Sequence, residues 1–316
     1  MQRRKFLINL AIGSTLGITG GALGSQLPRW VSQGGSGCVC PSEQDPRLLK
    51  SVSASGDLTY QGTHILTYGA FRPLAQRFEQ DTGRRFVVHG GGCDDGITAV
   101  LQQTADIGGL CCPVEGTRAD GMPWLQVAHD IKVIIAHPSQ SLENIGRDAL
   151  EAVVRGRLRN WRELGGEDRQ IALVYRDHCP EYFEPVRALI LGNRQAWSPR
   201  GMKVDTDQQL VDTVSRFRGA IGLVSWVFVR DLHRAGLIKV LALDGIQPSA
   251  AAVRAGRYDL IGPLNLVFRD WREALIEPMF DYLFSPAGQA TMTEALVPLS
   301  REESGYDPRR FRYRAV

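Results

Sequence analysis

The sequence predicts an α/β fold with mainly parallel sheets, and three observations predict it. Short β-like apolar runs alternate with amphipathic helical runs from Gly62 to about residue 300, the pattern of strands joined by crossover helices. Glycine and proline punctuate the boundaries, as at Gly83, Gly90-Gly91-Gly92 and Pro286-Ala287-Gly288. No run of about 20 apolar residues occurs beyond the N-terminus, which excludes a polytopic membrane protein. No period of solenoid length repeats.

The elements follow in order. Residues 64–67 read as a strand. Phe71, Leu74, Ala75 and Phe78 then stand at i, i+3, i+4 and i+7, one face of a helix that Gly83 closes. Residues 85–89 form a second strand, and the three glycines after it a tight turn. Ile97, Val100, Leu101 and Thr104 again keep helical spacing. Residues 106–110 and 131–136 read as strands, residues 147–155 as a helix and 172–175 as a strand. Pro180 is placed to open a helix, since proline is tolerated in the first turn. Strands are expected at 220–224, 238–241 and 260–268, then two C-terminal helices.

The chain has 316 residues, 43% hydrophobic and 22% charged, ordinary for a soluble protein and enough for two modest lobes or one large domain. The formal charge of +3 is matched by Arg3, Arg4 and Lys5 in a segment, 1–24, without acids. The rest is near neutral, which gives no electrostatic case for a nucleic-acid partner. That segment has a basic start, an apolar Gly-rich middle and the small-residue end Ala22-Leu23-Gly24, the pattern of a signal peptide. Arg3-Arg4-x-Phe6-Leu7 resembles the twin-arginine export signal. Contact with the membrane is then expected only through export or an uncleaved signal. Residues 25–57, with Gly34-Gly35-Ser36-Gly37, Pro41 and Pro46, read as a linker that carries Cys38 and Cys40.

Five stretches, in order, carry a family resemblance. They are Gly90-Gly91-Gly92-x-x-x-Gly96-Ile97 with Thr104-Ala105-Asp106-Ile107-Gly108; Arg155-Gly156-x-x-x-Asn160-Trp161-x-Glu163-Leu164-Gly165-Gly166; Gly219-Ala220-Ile221-Gly222-Leu223-Val224-Ser225; Phe284-Ser285-Pro286-x-Gly288-Gln289; and Val297-Pro298-Leu299. From about His64 to Ser300 the chain resembles phosphate-type periplasmic solute-binding proteins of ABC importers. The resemblance implies the two-lobed periplasmic-binding fold (type II) with the ligand cleft between the lobes. It places lobe one at 58–133 and 240–300, lobe two at 134–239, hinge strands near Ala136 and Leu241, and a tail at 301–316. It implies a periplasmic location, a small inorganic ligand, and an ABC permease or sensor as partner.

In that family helix N-termini, backbone amides and hydroxyls hold a tetrahedral oxyanion. By resemblance the ligand loops fall at Tyr68-Gly69-Ala70-Phe71, Cys93-Asp94-Asp95, Cys111-Cys112 and Arg176 to Tyr182. Here they depart from the family's Ser/Thr pattern. Arg176 remains as an anion ligand, while Asp94, Asp95, Asp177 and Glu181 add negative charge that would repel phosphate. Cys93, Cys111, Cys112 and Cys179 all fall on these loops. Thiolates are soft ligands that suit a soft metal ion, a trivalent metalloid or an Fe–S cluster. His178 can add a nitrogen ligand or a supporting hydrogen bond. Structural disulfides, common in exported proteins, are the alternative, as is free-thiol or redox chemistry. Asp94 and Asp95 read equally as helix caps. A Ser-His-Asp set, a P-loop and a dinucleotide fingerprint are missing at the required spacing, so a binding module is expected and not an enzyme. An ordinary oxyanion binder with disulfides and a cofactor-bearing redox protein on the same fold are the competing functions.

Overall fold

Alternating Leu58 and Tyr60 pack inward from strand β1 (Leu58–Thr63), and every later element is laid against it or its continuation. In this computed structural model, which describes residues 56–180, 182–192, 196–270 and 273–306, β1 ends at Thr63. The Thr63 hydroxyl oxygen accepts from the Ile65 amide and starts α1 (His64–Leu66). A π-helical turn, Thr67–Phe71, follows, then α2 (Arg72–Thr82), closed by Gly83 at φ +68°. The strand expected at 64–67 is therefore helical. A side-chain cap on one threonine turns an apolar run that would otherwise extend, and the strand lies six residues upstream.

The chain continues through β2 (Phe86–Gly91), α3 (Cys93–Leu101), β3 (Ile107–Leu110) and the long β4 (Trp124–Ala136). Next come β5 (Asn144–Ile145), α4 (Arg147–Val154), β6 (Ala172–Tyr175) and α5 (Pro185–Leu191). Then follow β7 (Met202–Lys203), α6 (Asp207–Arg216), β8 (Ala220–Ser225), α7 (Arg230–Arg234) and β9 (Lys239–Leu243). The last are α8 (Ala250–Arg254), β10 (Ile261–Phe268), α9 (Glu273–Leu283), α10 (Pro286–Ala290) and β11 (Val297–Pro298). The helix expected at Pro180 begins at Pro185, where Glu184 caps it by accepting from the Val186 and Arg187 amides. The proline rule was sound but applied five residues early.

The strands run β2-β1-β3-β10-β4-β8-β6-β7. Both ends of this path are parallel, as in β1 with β2 and β3, or β6 with β7 and β8. The middle is not: β10 is antiparallel to β3 and β4, and β4 to β8 and β9. The sheet is thus mixed and not mainly parallel, because two long strands carry the chain between two cores in opposite directions.

One core gathers Tyr60, Phe71, Phe78, Ile97, Phe268 and Phe280; the other gathers Val133, Ile135, Val153, Trp161, Ile221 and Leu241. The exchange falls in β4 between Ala128 and Ile131, and near β10 between Leu260 and Leu264. Ala136 and Leu241, the expected hinge positions, lie inside the second core. An unbroken apolar strand such as β4 carries no sign of where its neighbours change. At the exchange point Lys132 Nζ pairs with Asp130 at 2.9 Å, both nearly inaccessible, and Ser225 donates to the same carboxylate at 2.5 Å. At its start the tail packs on the first core through Tyr306, under the Arg301 guanidinium. The signal segment, the linker up to residue 55 and the last ten residues lie outside the described residues. Among those described, no helix is long and apolar enough to cross a membrane.

The recurring motifs have local causes. A Cβ on Gly96 would stand 2.8 Å from the Gln61 carbonyl oxygen, so only glycine lets α3 lie directly on β1. Asp106 accepts from the Thr59 amide and hydroxyl at 2.9 and 2.8 Å, tying β3 to β1. Trp161 is fully buried, and its indole N–H donates to the Gly219 carbonyl at 3.0 Å. Thr206 caps α6 by accepting from the Gln209 amide at 3.1 Å. Thr206→Ala is expected to cost about 1 kcal/mol, read as a fall in Tm of about 2–4 °C. An unchanged Tm would mean that the cap adds nothing.

Candidate functional site

Three helix starts face a cavity of about 580 Å³: the His64 turn, which continues into α2, the start of α3 at Cys93, and the start of α6 at Asp207. A helix start carries amides without intrahelical partners and the positive end of the helix dipole, an arrangement that favours an anion. The loop from Arg176 to Tyr182 closes the fourth side.

The thiols meet there. Cys93, in the first turn of α3, has its sulfur 3.3 Å from that of Cys111, just past β3, and 3.4 Å from that of Cys179. The three sulfurs lie within 4.8 Å of one another. All four body cysteines are free thiols. The Cys111 amide donates to the Cys93 sulfur at 3.1 Å. Cys112, next in the chain to Cys111, is fully buried and stands outside the close trio. Its carbonyl accepts from Asn265 at 2.7 Å, so β10 holds the Cys111-Cys112 pair in place. Hydrogen bonds to Cys111, Cys112 and Cys179, with burial, push the Cys93 thiol well above its usual range. Those from Cys179 and Cys93 bring Cys112 down to about 6.

Beside the thiols lies a charged group centred on Asp207, which is 5% exposed. It accepts from the Arg176 guanidinium and, at 2.9 Å, from His178 Nε2. Burial works to raise the pKa of Asp207; His178, Arg176 and Lys132 outweigh it and hold the carboxyl well below the usual range. For His178 burial works downward, and Asp207 outweighs it, so the imidazole is raised. The imidazole is not among the close ligand set.

The expected carboxylate repulsion does not arise among the described residues. Asp94 is engaged by Arg118 at 2.7 Å and by the Tyr182 hydroxyl at 2.7 Å. Asp95 accepts from the Gly92 amide at 2.6 Å as the cap of α3. Asp177 is paired with Arg187 at 3.0 Å. Asp94 and Asp177 are thus each paired with an arginine, 24 and 10 residues away in the chain, a pairing that helical or strand spacing does not show. Glu181, Cys38 and Cys40 lie outside the described residues.

The first ligand loop is displaced from its expected place. Tyr68 stacks on His64 with ring centroids 5.8 Å apart and under Arg72, Gly69 packs against Val227 and Leu296, and Ala70 is fully buried. None of the three lines the cavity; Thr63, His64 and Ile65 do. Because the helix starts at His64, residues 68–70 fall a turn further along. Thr63, His64, Arg118 and Asp207 were missed. The Thr206-x-x-Gln209 capping box would have marked Asp207 as a helix start; Arg118 offers no local signal.

Comparison with known proteins agrees with this architecture. The phosphate-binding protein PstS of Bacillus subtilis is 27% identical over 241 residues, covering 73% of this chain and 76% of that one. An ABC-type phosphate transport receptor from Vibrio cholerae superposes with a TM-score of 0.59 at 21% identity, over 77% of this chain and all of that one. A high-affinity periplasmic phosphate-binding protein, PfluDING, solved with phosphate, gives 0.60 at 14% identity, over 79% and 92%. Those structures share the two-lobed α/β fold. The family model described as the PBP superfamily domain matches residues 53–287, and the chain belongs to that family.

Proposed function

We propose that this protein is a periplasmic solute-binding component of an ABC uptake system, exported by the twin-arginine route. Its cleft captures a single thiophilic metal ion or trivalent metalloid on Cys93, Cys111 and Cys179, with Cys112 behind them. One observation carries the reading: three thiol sulfurs from segments up to 86 residues apart lie within 4.8 Å of one another on the cavity wall. Sulfurs bonded at about 2.3 Å to one tetrahedral ion stand about 3.8 Å apart, so a small closure or opening of this trio suits one centre. An Fe–S cluster is the multinuclear variant of the same reading. The PstS protein and the phosphate transport receptor that the chain resembles are named for binding and transport, which supports a binding role for the cleft.

Elemental analysis with sulfide determination, on protein purified without oxygen, tests it. About one equivalent of Cu, Zn or As is the expected result; iron with sulfide would replace the single ion by a cluster. Intact thiols with no bound element, after titration with Cu(I), Zn(II) and arsenite, would overturn the soft-site reading. The three helix starts, with Asp94 and Asp177 each paired to an arginine, favour a second reading, a phosphate-like oxyanion in the same cleft. Calorimetric titration with inorganic phosphate decides that one.

A further inference from the structure

The Arg176 to Tyr182 loop belongs by sequence to the second lobe, yet Cys179 and Tyr182 pack against the first core. Arg187 braces that loop, donating to Asp177 at 3.0 Å and to the His178, Cys179 and Tyr182 carbonyls at 3.3, 3.4 and 2.8 Å. Tyr182 anchors its far end on Asp94. Cys179 takes φ +46°, a left-handed conformation that a non-glycine residue adopts only when its surroundings impose it. The thiol is thus presented to Cys93 by the fold. It is also the accessible member of the group: Cys179 is half-buried and lines the cavity, whereas Cys93 and Cys111 are 5% and 6% exposed and Cys112 is closed off.

We infer that Cys179 is an oxidation site, and that its sulfenic acid condenses with Cys93 to form a disulfide between the lobes. A peroxide entering the cleft meets Cys179 first. The Cys179 sulfur attacks one peroxide oxygen, the O–O bond breaks, and Cys179–SOH and one water form from hydrogen peroxide. The Cys93 sulfur, 3.4 Å away, then attacks the sulfenic sulfur. The S–O bond breaks and the hydroxide leaves with the Cys93 proton as a second water. Two thiols lose two electrons to one peroxide. The bridge closes this 3.4 Å contact to the ~2.05 Å of a disulfide. The bridge removes two of the three close thiols. Release of a bound soft ion on oxidation rests on the function proposed above; the bridge itself needs only the thiols.

The test is peptide mapping of the reduced, chelator-washed protein after one equivalent of hydrogen peroxide and alkylation. Trypsin leaves Cys93, Cys111 and Cys112 on fragment 86–118 and Cys179 on 177–187, and cleavage before Asp94 and Asp106 separates Cys93 from Cys111. A Cys93 fragment joined to the Cys179 fragment is expected, and Cys179→Ser should slow thiol loss about tenfold. A link confined to 86–118, a Cys179 sulfenic acid without a partner, or an unreacted Cys179 would each overturn the inference. Metal titration of the reduced protein separates the two ideas. A bridge without metal binding sinks only the proposed cargo, and metal binding without a bridge sinks only the oxidation site.

Discussion

Cys93→Ser is expected to weaken binding of a thiophilic ion by roughly a hundredfold. Protein thiolate sites worth about 10–16 kcal/mol over four ligands lose about 3 kcal/mol with one of them, and about 1.4 kcal/mol is tenfold in affinity. Cys93 is the choice because its sulfur is within 3.4 Å of both other members of the trio. Competition with a chromophoric chelator reads the loss. Cys112→Ser distinguishes the coordination number: a loss equal to that of Cys93→Ser means four sulfurs on the ion, and a few-fold loss means three with Cys112 as support. Asp95→Asn serves as control, since Asp95 caps α3 away from the cavity. If Cys93→Ser binds as tightly as the parent, the trio is not the site.

Asp207→Asn is expected to cost about 3–5 kcal/mol, because removing one partner leaves charge buried without compensation. At a few degrees per kcal/mol, Tm should fall on the order of 10 °C. The pH profile follows from the two shifts. Asp207 is held below its ordinary pKa, so its contribution is complete above about pH 3.9, the unfolded value, and is lost as pH falls through the lower folded value. His178 is raised, so its contribution is complete below about pH 6.5 and is lost as pH rises through the higher folded value. The pair therefore stabilises most between about pH 4 and 6.5. Thermal melts across pH 3–9 should show that maximum in the parent and lose it in the variant. Matching profiles would mean that the Arg176–Asp207–His178 group is not a coupled unit.

Much of this protein was legible in its sequence, because the signals concerned are local. Amphipathic spacing located α2 and α3, a capping turn and a buried indole explain the Asn160-Trp161 motif, and close backbone approach explains Gly96. The order of the five motifs pointed to the family before any coordinate, and the gathering of four cysteines on cleft loops followed from that order. Other features depend on residues that meet only after folding. The helical start at His64 hinges on one threonine side chain accepting a hydrogen bond, and it moved the first ligand loop from Tyr68–Ala70 to Thr63–Ile65. The exchange between cores within β4 is invisible in an unbroken apolar strand. The sign of the cleft depended on pairings such as Asp94 with Arg118 and Asp177 with Arg187. Sequence alone determined that cysteines gather on the loops around the cleft, since those loops lie next to local helix and strand signals. Tertiary structure alone decided which charges survive there and which thiols touch, since an ion pair or an S···S contact is a property of distance in space and not of spacing along the chain.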